Sequence, residues 1–229
     1  MNKKEITINW EDVVKATGLL ANAYQDYISA RILLDHWQLL NWCQLANTCI
    51  EKYFKAMKVM HWESSPLHHD ITAKKIINTI KNKFPNIYKR INIDFIKLLS
   101  ESYKLRYLDN HDIGFNITIS QFKILTELDY TVNILIPNKM LKWWNNIMTR
   151  YDVDIKNKNL LLFKNNYILN NLDKNVLIKN KHKIEQHLID SWWQLLSIEY
   201  NSSEVYDDWV FMYDCSEKNK KIPMIYSQS

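Results

Sequence analysis

An arginine and a histidine five positions apart, Arg106 and His111 in the segment ESYKLRYLDNH, form the pair that a metal-free ribonuclease requires. The imidazole can take a proton from a 2′-hydroxyl, and the guanidinium can stabilise charge on the attacked phosphate. Five residues of continuous helix turn through about 500°, which would leave the two side chains about 140° apart and unable to converge. They can meet only if the helix ends between them or if two copies of the chain face each other. Asp109 and Asn110 supply helix-ending chemistry at that point: Asn tolerates left-handed backbone, and both side chains compete with the helix for hydrogen bonds. The alternative is an arginine in the last turn of a helix, favoured there by the dipole, and an unrelated histidine in a surface loop.

His68, His69 and Asp70 make a second polar cluster that could bind a metal or move protons, or could simply cap a helix at the surface. No fourth ligand is evident, and no metal or other cofactor is expected. The tryptophan pairs Trp143–Trp144 and Trp192–Trp193 could stack on bases or belong to core and interface. With only two glycines, Gly18 and Gly114, the chain has no glycine-rich phosphate loop. Gly-x-Ser-x-Gly, His-Glu-x-x-His and Cys-x-x-Cys are also missing. Cys43 and Cys49 fall within an apolar helical pattern that predicts buried thiols, and with Cys215 they make an odd set that fits a reducing cytosol.

The elements that must position these residues are mainly helical. From Glu11 to His36, Val13, Leu20, Ala23, Tyr24, Tyr27, the aliphatic stem of Arg31, and Leu34 recur at helical steps. A second helix, about Leu39 to Met60, carries Trp42, Cys43, Ala46, Cys49, Ile50, Tyr53, Met57 and Met60 inward and should run antiparallel to the first. A third opens at Ser65 or Asp70 and stops before Pro85, and a fourth runs from about Ile87 to Leu108. HDIGFNIT predicts a turn and a short extended piece, followed by a fifth helix from Ser120 to Ile136. Beyond Asn138 the chain becomes rich in Asn and Lys. There NLLLFKNNYIL suggests two short strands, Val176 to Tyr200 a helix, DDWVFMYD a strand and EKNKKIPMIYSQS a loose tail.

The 229 residues carry a formal net charge of +5, unevenly spread. Between Ile71 and Arg106 nine Lys or Arg face only Asp94 and Glu101, an excess of seven that could neutralise phosphates or form a solvated helix face. No apolar run approaches the roughly 18 residues of a membrane span, and MNKKEITINWED lacks the apolar stretch of a signal peptide. A cytoplasmic protein with no membrane contact is expected.

The segments ISARILLDHW, CQLANTCIEKYFKAMKVM, LHHDI and SYKLRYLDNH, in that order, resemble the HEPN (higher eukaryotes and prokaryotes nucleotide-binding) family of small helical domains over about Glu11 to Pro137. Ala46, Ile50, Glu51, Lys52, Lys55 and Ala56 carry the most specific part of the likeness, and His69-Asp70-Ile71 adds to it. The resemblance implies an up-and-down helical bundle over residues 1–137; residues 138–229, outside it, are expected to form a C-terminal accessory segment of mixed helix and short strands. It also implies a homodimer in which Arg106 and His111 form a composite, metal-independent ribonuclease site of the toxin or host-defence type. His111 would act as general base or acid and Arg106 would hold the scissile phosphate. Tyr107, Asn110, Lys104 and His69 would complete the contacts to RNA or a nucleotide. Catalytic members usually carry a small polar residue after the arginine. Tyr107 stands there instead, so RYLD resembles an Arg-Tyr-Pro-Asp variant whose members are regarded as nucleotide or nucleic-acid binders. An antitoxin or a nucleotidyltransferase is the implied protein partner.

Overall fold

The computed structural model describes residues 10–60, 74–104, 115–136, 148–190, 192, 194–202 and 213–214. The amphipathic stripe of the first segment folds as α1, Trp10–Asp35, and buries Val13, Leu20, Ala23, Tyr24, Tyr27, Arg31 and Leu34. α2, Leu39–Met60, has the predicted bounds and buries Trp42, Cys43, Ala46, Cys49, Ile50, Tyr53 and Met57. The turn between them is a Schellman arrangement, in which Gln38 N donates to Leu33 O at 2.9 Å and Trp37 N to Leu34 O at 3.2 Å. Trp37 takes the left-handed position that glycine usually fills, with φ of 62°. So tight a connection makes the two helices antiparallel, and Asp26 of α1 accepts from both Thr48 (2.8 Å) and Lys52 (2.6 Å) of α2.

α3, Lys74–Lys83, ends at Phe84 because Pro85 follows it. The predicted fourth helix is broken, a correction to the periodicity reading. Pro85–Tyr88 forms a single turn, α4, and α5 begins afresh at Ile93 and runs to Lys104. Asn92 makes the break, since its Oδ1 accepts from the backbone N–H of Asp94 (3.1 Å) and Phe95 (3.2 Å), donors that a continuous helix would pair elsewhere. The extended piece foreseen after Gly114 is β1, Asn116–Ser120, which passes without a loop into α6, Gln121–Leu135.

The later half departs further from expectation. NLLLFKNNYIL is not a pair of strands. α7, Arg150–Lys156, closed by a Thr149–Asp152 capping box, is followed by the one-turn α8, Leu160–Phe163. Asn159 caps α8 through the Leu161 N–H at 3.0 Å, and Asn165 and Asn171 adopt positive φ that turns the chain away from extended pairing. The helix predicted over Val176–Tyr200 is also corrected. Only α9, Lys174–Lys179, is helical, and β2, Lys183–Ile189, pairs antiparallel with β3, Leu195–Asn201. Asp190 closes this hairpin by accepting from the N–H of Trp192 (2.8 Å) and of Gln194 (2.9 Å). β4, Tyr213–Asp214, lies within the predicted DDWVFMYD strand and completes a sheet of order β3-β2-β1-β4.

The fold is therefore mainly α-helical with one small antiparallel sheet. Its core runs from Leu20, Tyr27, Trp42, Ile50 and Phe95 through Ile117 and Leu128, and takes in Tyr151, Leu162 and Ile189 from beyond residue 138. Cys43 and Cys49 are buried free thiols, as expected, and burial raises the pKa of each. Among the described residues no helix is long and apolar enough to cross a membrane.

Candidate functional site

Arg106, Tyr107, Asn110, His111 and His69 lie outside the described residues, as do Trp143 and Trp144; Lys104 is the last residue of α5. What the structure gives is the frame on either side of the arginine and histidine. α5 is anchored by Phe95, Leu98 and Leu99, all buried, and by Ser102, whose hydroxyl donates to Leu98 O at 2.7 Å. The chain re-emerges at Phe115, which is buried and whose carbonyl accepts from Ile189 N at 2.9 Å, and continues as β1 between β2 and β4. α5 is described as far as Lys104 and β1 begins at Asn116, and Arg106 and His111 fall in the interval between them.

Two polar clusters lie beside this frame. On the hairpin, His187 places Nδ1 2.8 Å from Ser197 Oγ and Nε2 3.2 Å from Glu185 Oε2. His187 and Glu185 are buried, and His187 and Ser197 stand directly opposite in the register. Carboxylate, imidazole and hydroxyl are thus linked in series, and the His187–Ser197 bond ties β2 to β3. At the other end of β2, burial lowers the pKa of His182, opposed by its hydrogen bond to the Asn180 carbonyl (2.7 Å) and helped by Lys123. With Nδ1 donating to that carbonyl, Nε2 is free to accept from Ser120 Oγ at 2.8 Å.

The cluster that sequence reading missed joins α1, α6 and the α8 region. The guanidinium of Arg31, read only as an aliphatic stem, is buried and pairs with Asp129, and it also donates to Leu161 O (3.0 Å) and Lys164 O. Tyr27 Oη donates to the same carboxylate at 2.7 Å. Burial alone would lower the Arg31 pKa, but Asp129 and Tyr27 more than reverse this and hold it charged. Burial raises the Asp129 carboxyl, opposed by Arg31 and by its hydrogen bonds. A signal was present: Asp129 sits between Leu125, Leu128 and Val132 on an otherwise apolar face, where a charge needs a buried partner.

The cavity beside Arg31, bordered by His36, Gln121 and Lys164, holds about 50 Å³, room for ordered water. A second, against Leu20, Tyr24, Tyr53 and Met148, holds about 220 Å³. Both fall below the roughly 300 Å³ at which small-molecule pockets begin. No group of three or more metal-binding side chains occurs among the described residues. A run of cations does reach the surface: Lys81 and Lys83 are exposed on α3 and Lys89 and Arg90 in the turn after α4, and no acidic residue lies between Ile71 and Ile93. No family profile matches this chain, and neither a curated protein nor a solved structure is significantly similar to it.

Proposed function

We propose that the protein is a metal-independent endoribonuclease of the HEPN type, acting on RNA as a homodimer in a toxin or defence role. The observation that carries this reading is the frame around the motif. A helix that ran on past His111 would keep Arg106 and His111 on diverging faces. α5 leads towards Arg106 and β1 begins at Asn116, five residues after His111, and the reading requires the helix to end between the two or two copies of the chain to face each other. The antiparallel α1–α2 pair, with Ala46, Ile50 and Glu51 buried, suits the up-and-down arrangement that the resemblance implies. In the proposed reaction the 2′-oxygen bonds to the adjacent phosphorus as His111 takes its proton, Arg106 holds the charged oxygens, the P–O5′ bond breaks, the 5′-oxygen leaves as a hydroxyl by taking a proton from water, and a 2′,3′-cyclic phosphate end is left.

The test is incubation with labelled single-stranded RNA in EDTA beside His111→Ala and Arg106→Ala, with the product ends analysed. Cyclic phosphate products lost in both variants are the expected result. Persistent cleavage by a cleanly folded His111→Ala protein would overturn the assignment.

The exposed cations at Lys81, Lys83, Lys89 and Arg90 favour a second reading, a non-catalytic module that holds a nucleic-acid backbone, alone or beside a nucleotidyltransferase. It predicts RNA binding that weakens steeply with salt and no turnover.

A further inference from the structure

Among the described residues the sheet order leaves β3 at one border. Its residues Leu196, Ser197, Ile198 and Glu199 are all exposed, and Leu196 and Ile198 share one face at 41% and 38% exposure. Natural sheets protect such borders with proline, a bulge or unpaired charge. The sequence LLSIEYN has no proline, and its single charge, Glu199, is already bound to Lys183 of β2 at 2.9 Å.

The hydrogen-bond phase decides which backbone groups face outward. Asp190 N donates to Gln194 O at 3.1 Å and Ser202 N to His182 O at 2.8 Å, and both pairs continue the β2–β3 register. Closely bonded pairs therefore recur at Leu188/Leu196, Gln186/Ile198 and Ile184/Tyr200. Between them, Leu195, Ser197 and Glu199 turn their N–H and C=O groups away from β2.

We propose that β3 pairs antiparallel with β3 of a second copy of this chain, about a two-fold axis through Ile198, and so carries the sheet across a dimer. In that register Ser197 of each copy faces Glu199 of the other, outward groups meet outward groups, and each such pair can exchange both N–H···O bonds. A slip of one residue would set an outward residue against an inward one. The side chains agree: Ile198 meets Ile198 and Leu196 meets Tyr200, apolar against apolar. Centring the axis on Glu199 would instead stack two carboxylates, and centring it on Ser197 would place Glu199 opposite Leu195. The pairing is isologous and closes on itself. This interface does not depend on the nuclease reading.

Ile198→Cys tests it, in a Cys215→Ser background under mild oxidation. Residues opposite each other in a non-hydrogen-bonded pair lie about 4.5 Å apart at Cα, within disulfide range. Ile198→Cys should run mostly as a cross-linked dimer on a non-reducing gel, while Val176→Cys, exposed on α9, stays monomeric. By light scattering, Ile198→Lys should halve the native mass with its circular dichroism unchanged. Cross-linking no greater at position 198 than at 176, or an unchanged mass for the lysine variant, would overturn the proposal.

Discussion

Arg31 and Asp129 lie 98 positions apart, and burying either alone would cost far more than burying both together. Their pairing is completed by Tyr27 and by the carbonyls of Leu161 and Lys164. Asp129→Ala leaves an uncompensated guanidinium in the core and should lower unfolding free energy by about 3–5 kcal/mol in urea titration. Adding Arg31→Met should recover much of that loss, because the buried charge goes with it. A loss below about 1 kcal/mol for Asp129→Ala would mean that the guanidinium escapes to water. His182 gives a pH-dependent counterpart. Its folded pKa is below the usual 6.5, so the unfolded chain takes up a proton that the folded chain refuses. Its contribution is present above that value and is lost as pH falls through the window below it. Between pH 7 and 5.5 the wild type should lose stability relative to His182→Gln by up to about 1.4 kcal/mol per pH unit. Parallel curves for the two proteins would contradict the assignment.

At the scale of elements, Asn92 decides where α5 begins, and therefore where it delivers the chain towards Arg106. Asn92→Ala removes the acceptor for the Asp94 and Phe95 amides and should cost about 1 kcal/mol, whereas Asn92→Ser keeps an acceptor and should cost less. Chemical denaturation of the two variants checks the ordering. This cap also shows what the sequence could and could not convey. α1 and α2 were legible to their ends because their apolar residues follow a helical period over six or more turns, long enough to exclude a strand. The hairpin was not, because Ile184 and Leu188 stand four apart. Four residues return to one face of a helix and, being an even number, also to one face of a strand. Pairing with β1, more than 60 residues earlier, settles the choice, and no local pattern reports it. The proposed pair Arg106 and His111 rests on residue type and spacing alone and lies outside the described residues. The buried Arg31–Asp129 pair was not legible, since an arginine in an apolar stripe reads as a stem reaching for water.

Across the whole molecule, the change of composition near Asn138 does not coincide with a break in the core. Tyr24 of α1 donates to Asp154 of α7 at 2.7 Å and meets Tyr151 edge-on at 5.8 Å between centroids. Arg31 is held by the Leu161 carbonyl, and β1 pairs along its whole length with β2. A chain ending at Pro137 would lose these partners together. It would leave Arg31 and Asp129 without half of their cage, strip the ladder from Asn116–Ser120, and uncover the apolar surface now closed by Tyr151, Leu162 and Ile189. Since net stability of a domain is commonly about 5–15 kcal/mol, several such losses at once exceed what a bundle of this size can absorb. Residues 1–137 expressed alone should therefore keep helical circular dichroism from α1 and α2 but melt broadly, bind hydrophobic dye and show no RNA cleavage. A single sharp transition with cleavage retained would instead establish the first 137 residues as a domain that folds unaided, with the sheet and the Arg31 cage as additions to it.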